Sequence, residues 1–295
     1  MFDAKALTEI LAWPIGVAAV IGVTLYFLAA RGGQKHWANR VGVLIASLAY
    51  AVGHWIHFAK PDWSNWRNID AWQWVLPGVL AAGSIGIADA FVRRVWVRWI
   101  LRAILLAGFA AVSLQSFMRN AWDANESAKW IGGIAVVGTI WWELVGLAGR
   151  GKQAGNWFAA EWLLIAAACG ALFVLSGSQR LLEMTMMLGS GIGVCMAIQM
   201  CGGRDVARGL LAAAPFVLMA LWLNGHFYGD MDWWRIAMPA AAPVMALGFH
   251  SLFRPKSRTW IGGILGMAVV ALVAAGAVVP AVRMYEPDPY SGGGY

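Results

Sequence analysis

The residues of this chain that could do chemistry are few, and most sit at helical spacing inside apolar runs. Ser47, Tyr50, His54 and His57 fall within an arc of roughly 80° when wound at about 100° per residue. That stripe is expected to face other helices, and His54 and His57, one turn apart, would present two imidazoles to one pocket. A second polar group surrounds His226, with Asn224, Tyr228, Asp230 and Asp232 nearby in sequence. On a helix Asn224 and Tyr228 share a face, whereas His226 points nearly opposite. Three chemistries suit such groups. Two histidines on different helices can hold a b-type haem as axial ligands. Imidazoles with the Asp230 carboxylate suit a zinc or iron ion. Histidines lining a polar path can also bind and release protons. The sequence leaves open which, if any, of haem b or a metal ion is held.

The acids are equally sparse. In hydrocarbon an ionisable group is costly and faces the protein interior or water. Glu143 lies deepest, 13 residues into its apolar run, or about 20 Å at a rise of 1.5 Å per residue. Thr139 is one turn away on the same face, and Arg102 is the nearest cation by depth. A carboxyl so placed must hold a proton or pair with a buried donor, so Glu143, with Thr139 and Asp89, is the candidate for proton coupling. Asp89 and Glu161 stand near the ends of their runs, within reach of Arg93, Arg94 or Lys152 as interfacial ion pairs. Glu183 stands beside Arg180 in the same way.

No residues form a recognisable catalytic centre. There is no G-x-x-x-x-G-K-[ST], so phosphate-loop ATP hydrolysis is unsupported. Cys169, Cys195 and Cys201 lie in apolar segments without a C-x-x-C and define neither a disulfide framework nor a zinc knuckle. The net charge of +7 is scattered in twos and threes with no basic face, which excludes a nucleic-acid partner.

These residues must be positioned by helices in lipid. Of 295 residues, 60% are hydrophobic and 13% charged. That charge content is about half the share of a soluble domain, and the mean hydropathy is +0.63. Ten runs are long enough to span: 10–30, 41–59, 72–91, 97–117, 130–149, 157–176, 182–201, 209–228, 236–253 and 260–281. No gap between them would hold a soluble domain, so 1–295 reads as a single transmembrane domain. The loops after the odd-numbered runs, together with the run ends that adjoin them, carry 14 of the 22 basic residues, which places those loops inside and both termini outside. Most of the 19 tryptophans, Trp162 among them, fall near run ends, as an aromatic belt requires. Residues 61–74, with Trp63, Trp66, Ile69 and Trp74 on one face, read as a short helix lying on the outer membrane surface.

Two echoes point to duplication. Trp130–Ile134 and Trp260–Ile264 both read WIGGI, and Pro77-Gly-Val-Leu-Ala-Ala resembles Pro215-Phe-Val-Leu-Met-Ala. Each pair is five runs apart, so residues 1–150 and 157–281 would form two five-helix repeats of opposite orientation, a plan common among secondary transporters. The expectation is therefore an all-α, multi-pass protein with ten spans. Its expected function is a transporter or permease for a small solute, coupled to protons through Glu143. Two alternatives stand beside it: a haem- or metal-binding redox or enzyme subunit using the outer histidines, and a non-catalytic subunit of a membrane complex. Expected partners are membrane lipids, a small solute and other membrane subunits.

Overall fold

The computed structural model describes residue 5 and residues 8–31, 37–58, 60–89, 91–92, 94–150, 157–201, 206–252 and 259–284. The basic loops at 32–36, 151–156, 202–205 and 253–258, which carry much of the orientation argument, lie outside the described residues. Ten long helices form, one over each expected run: α1 (Trp13–Arg31), α2 (Trp37–His57), α3 (Val75–Ala88), α4 (Val95–Ser113) and α5 (Ala124–Arg150) make the first half. The second half comprises α6 (Trp157–Leu175), α7 (Gln179–Met200), α8 (Leu210–Tyr228), α9 (Trp233–Leu252) and α10 (Thr259–Met284). No strand occurs among the described residues. Among the described residues, eight segments are long and apolar enough to cross a membrane; α2 and α9 contribute none to that set. The chain is thus an all-helical, multi-pass integral membrane protein.

The core forms around α8. Every residue from Ala212 to Gly225 is buried, and the helix packs on α2, α3, α5, α6 and α7. Without a hydrophobic force between helices in lipid, close approach depends on small residues. α3 supplies them: a Cβ on Gly86 would sit 2.1 Å from the Ala212 Cβ, and one on Gly83 would sit 2.4 Å from the Ser47 Oγ. Pro215 lies inside α8 and has no N–H to give the Leu211 carbonyl one turn back. The Trp142 indole of α5 donates to that carbonyl instead, at 2.7 Å, while Trp141 donates to the Ala240 carbonyl of α9, also at 2.7 Å. One tryptophan pair therefore fastens α5 to two helices.

Several local expectations change. Residues 61–74 form two 3₁₀ turns, Trp63–Asn68 and Ala71–Trp74, and not one helix. Asp62 accepts from the Ser64 N–H and hydroxyl, which also holds its carboxyl below the usual carboxylate range. Asp70 starts the second turn, its N–H donating to the Gln73 side chain. Two acidic starts eight residues apart cut the segment in two, and they leave Ile69 buried while Trp63 and Trp66 are exposed. Trp162, read as part of the belt, is enclosed in the core beside Phe158.

The two halves, 1–150 and 157–281, share some packing contacts and differ in others. α1 packs on α2 as α6 does on α7, α4 on α5 as α9 on α10, and the would-be equivalents α2 and α7, and α3 and α8, pack on each other. α10 also packs extensively on α6, a contact with no comparable α5–α1 counterpart among the described residues. The two WIGGI copies differ as well: a Cβ on Gly133 would meet open space, whereas one on Gly263 would strike the Trp157 ring.

The Trp142–Leu211 bond yields a double-mutant cycle. Trp142→Phe leaves the buried Leu211 carbonyl without a donor and should cost about 1–3 kcal/mol. In a Pro215→Ala background the restored backbone N–H satisfies the same carbonyl, and the cost of Trp142→Phe should shrink toward zero. Unfolding midpoints in detergent measure both, and equal costs in the two backgrounds would contradict the assignment.

Candidate functional site

Three consecutive helices bring the deep charges together. Asp89 is the first residue beyond α3, and its N–H still bonds the Ile85 carbonyl. α4 carries Arg102 seven residues past its start at Val95, or about 10 Å into the bundle. α5 runs the other way and carries Glu143 seven residues before its end at Arg150, at matching depth. Arg102 lies on the stripe of α4 that also buries Leu106, Phe109 and Ser113, the face turned toward its neighbours. The helix cannot turn this charge to lipid without exposing its packing face.

Arg102 is 6% exposed and Glu143 is equally buried at 6%. The guanidinium donates from Nη1 to Glu143 Oε1 at 2.5 Å and from Nη2 to Asp89 Oδ2 at 2.6 Å. Its carbon also lies 5.1 Å over the Trp142 ring, adding a cation–π contact. A planar fork that reaches two carboxylates on different helices is a task for arginine, which lysine's compact point charge cannot replace. Asp89 Oδ1, Arg102 Nε and the Thr139 hydroxyl are enclosed and have no hydrogen-bond partner among the described residues. A guanidinium is a donor only, whereas a carboxylate is an acceptor until it binds a proton. Protonating one acid weakens its hold on the guanidinium and leaves the other as the stronger partner.

The pairing of Arg102 with Glu143 joins the two groups that depth alone had matched. Asp89 has a partner the expectation did not name, Arg102; Arg93 and Lys152 lie outside the described residues. Glu183 departs from expectation. Its carboxylate accepts from Gln179 at 2.8 Å and meets His57 Nε2 at 3.2 Å, while Arg180 lies over the Trp72 ring at 4.5 Å.

The outer polar residues divide into separate sets. His57 is a clasp: Nδ1 meets Glu9 Oε2 at 3.0 Å and Nε2 meets Glu183 Oε2 at 3.2 Å. The N-terminal turn Thr8–Ala12, α2 and α7 are tied at one point. Both ring nitrogens are engaged, so ligation by His57 requires release of a carboxylate. His54 is buried among Tyr50, Phe58 and Trp72. Its Nε2, the Tyr50 hydroxyl and the Ser47 hydroxyl all lack partners among the described residues, so the stripe does face protein. On α8, Asn224 donates to the Ala220 carbonyl and Tyr228 to the Ser113 carbonyl. His226 Nδ1 meets the Met231 carbonyl at 2.8 Å, and its ring lies 3.8 Å from that of Trp233. Asp230 is exposed with φ of 49°, the left-handed geometry that aspartate tolerates in a turn. Asn224, His226 and Tyr228 thus each have their own local partner. No group of three or more His, Cys, Asp or Glu side chains with metal-holding geometry occurs among the described residues.

Sequence reasoning missed Glu9 and the Trp141–Trp142 pair. Glu9 was visible only as an acid at the same expected level as His57 and Glu183. The tryptophans carried a clearer signal, since two adjacent indoles deep in a span cannot belong to an interfacial belt.

Removing Arg102 should test the buried set. Arg102→Met leaves two carboxylates without their cation and should destabilise by about 3–5 kcal/mol. The triple variant Asp89→Asn, Arg102→Met, Glu143→Gln carries no charge at these positions and should regain most of that loss. Tryptophan fluorescence during unfolding in detergent reads both, and a triple variant no better than the single would contradict mutual compensation. No protein-family model matches the sequence, and no curated protein is significantly similar to it.

Proposed function

We propose that the chain is a secondary transporter for a small solute, coupled to proton movement by Asp89, Arg102 and Glu143. The observation that carries this reading is one guanidinium held by carboxylates from two different segments inside the membrane. A static counter-ion needs one acid. Two acids on separate elements give the cation two sites and let a proton choose between them. With the proton on Glu143, Arg102 rests on Asp89 and ties α4 to the end of α3. With the proton on Asp89, it rests on Glu143 and ties α4 to α5. The enclosed, unbonded Asp89 Oδ1 is an acceptor available to that proton.

In this reading all ten long helices cross the membrane and both termini are extracytoplasmic, as the alternation of basic loops favours. The packing of α2 on α7 and α3 on α8 supports an inverted five-helix plan for the bundle centre. Ser47, Tyr50 and His54, buried with unsatisfied polar atoms along one face of α2, offer a polar solute its hydrogen-bond partners.

Proteoliposomes loaded with a pH-sensitive dye and challenged with amino acids, sugars and organic acids provide the test. One solute class should drive internal acidification with the wild-type protein. Glu143→Gln should abolish acidification while solute exchange across the membrane persists. Solute-linked proton movement that survives undiminished in Glu143→Gln, or no solute-linked proton movement at all, would contradict the proposal.

A further inference from the structure

A groove of about 870 Å³ lies between α5, α8 and α9, apart from the buried charges. Its volume falls in the range of roughly 300–1,000 Å³ usual for ligand sites. The lower walls are Ile134, Val137, Gly138, Met219, Leu223 and Ile236. Trp141 and Trp222 also line it, but their indole N–H groups are directed to the Ala240 carbonyl and the Cys169 Sγ. They present ring carbon and no donor to an occupant. Val137, on the groove's α5 wall, is 67% exposed, so this side of the bundle is open toward lipid.

The mouth has the opposite character. Asp123, Asn125, Glu126 and Lys129 line it, all exposed. Asp123 Oδ1 accepts the Glu126 N–H at 2.7 Å, which fixes these groups at the start of α5. Trp130 and Trp233 line the groove just below, with parallel rings 5.9 Å apart, the depth at which indoles meet headgroups. From Trp130 to Trp141 is about 16 Å along the helix. That is the thickness of one leaflet of a hydrocarbon core of about 30 Å.

We infer that this groove is a binding site for a single zwitterionic phospholipid with a primary ammonium headgroup. Its acyl chain lies against the apolar walls. The lipid phosphate pairs with Lys129, and the ammonium donates to the Glu126 and Asp123 carboxylates. Two acids beside one base match a headgroup carrying both signs. They repel a purely anionic headgroup, and a quaternary ammonium has no N–H to offer them. The inference stands independently of transport.

Gly133 makes the site testable, because it lines the groove and a Cβ there meets nothing within 4 Å. Gly133→Leu therefore enters the groove from a position whose Cβ strikes no neighbour, and leucine favours the helix over glycine. Gly132, equally open and not part of the groove lining, is the control. Purified protein is equilibrated with equimolar dioleoyl phosphatidylethanolamine, phosphatidylcholine and phosphatidylglycerol in detergent and examined by native mass spectrometry. The wild type and Gly132→Leu should retain one phosphatidylethanolamine in preference to the others, and Gly133→Leu should lose it about tenfold, a difference of about 1.4 kcal/mol. Glu126→Lys should move the preference to phosphatidylglycerol. Equal retention of the three lipids, no retained lipid, or undiminished retention by Gly133→Leu would overturn the assignment, as would a Glu126→Lys protein that still prefers phosphatidylethanolamine.

Discussion

A charge in hydrocarbon has no water to turn to, so the protein must bring its partner. Arg102 imposes that requirement on three segments at once. Its depth in α4 demands an acid at the same level, which Glu143 supplies only if α5 runs antiparallel beside α4 and ends at the same side. It draws in the end of α3 as well, through Asp89. Because Arg102 shares a helix face with Leu106 and Phe109, the apolar packing that seats α4 and the ion pairing are satisfied in one orientation.

The central helix meets a related demand from its backbone. Pro215 leaves a carbonyl of α8 without its usual donor, and an unsatisfied backbone group in a membrane costs several kcal/mol. The donor is Trp142, the residue next to Glu143, whose ring also lies under the Arg102 guanidinium. The same side chain thus secures α5 to α8 and stacks on the cation. Glycines on α3 let that helix lie close against α8 and α2. The Trp142 indole therefore links the charged set to α8, the most deeply buried helix among the candidate spans.

The membrane class and the placement of the long helices were readable because apolar length is a property of each segment by itself. The Arg102–Glu143 pair was readable for a similar reason: two charges at one depth on adjacent spans have few other partners. Asp89 was assigned to nearer arginines because sequence distance favoured them; its bond to Arg102 follows from the way α4 packs beside the end of α3. The Glu9–His57–Glu183 clasp joins segments 48 and 126 residues apart, and no helical wheel of α2 contains that information. Trp162 shows the same limit, since an indole near a span end fits both a headgroup belt and the core. The segment 61–74 was misread because its apolar spacing was weighed above Asp62 and Asp70, whose caps divide it.

We propose that a proton moves between Asp89 and Glu143 while the Arg102 guanidinium shifts its hold from one carboxylate to the other. Infrared difference spectroscopy of the reconstituted protein between alkaline and acidic buffer observes this directly, in light and heavy water. A protonated-carboxyl stretching band should appear on acidification, shift in heavy water, and vanish in Glu143→Gln or Asp89→Asn. A band unchanged in both variants would mean that the two acids stay ionised and that Arg102 is held by a static bridge.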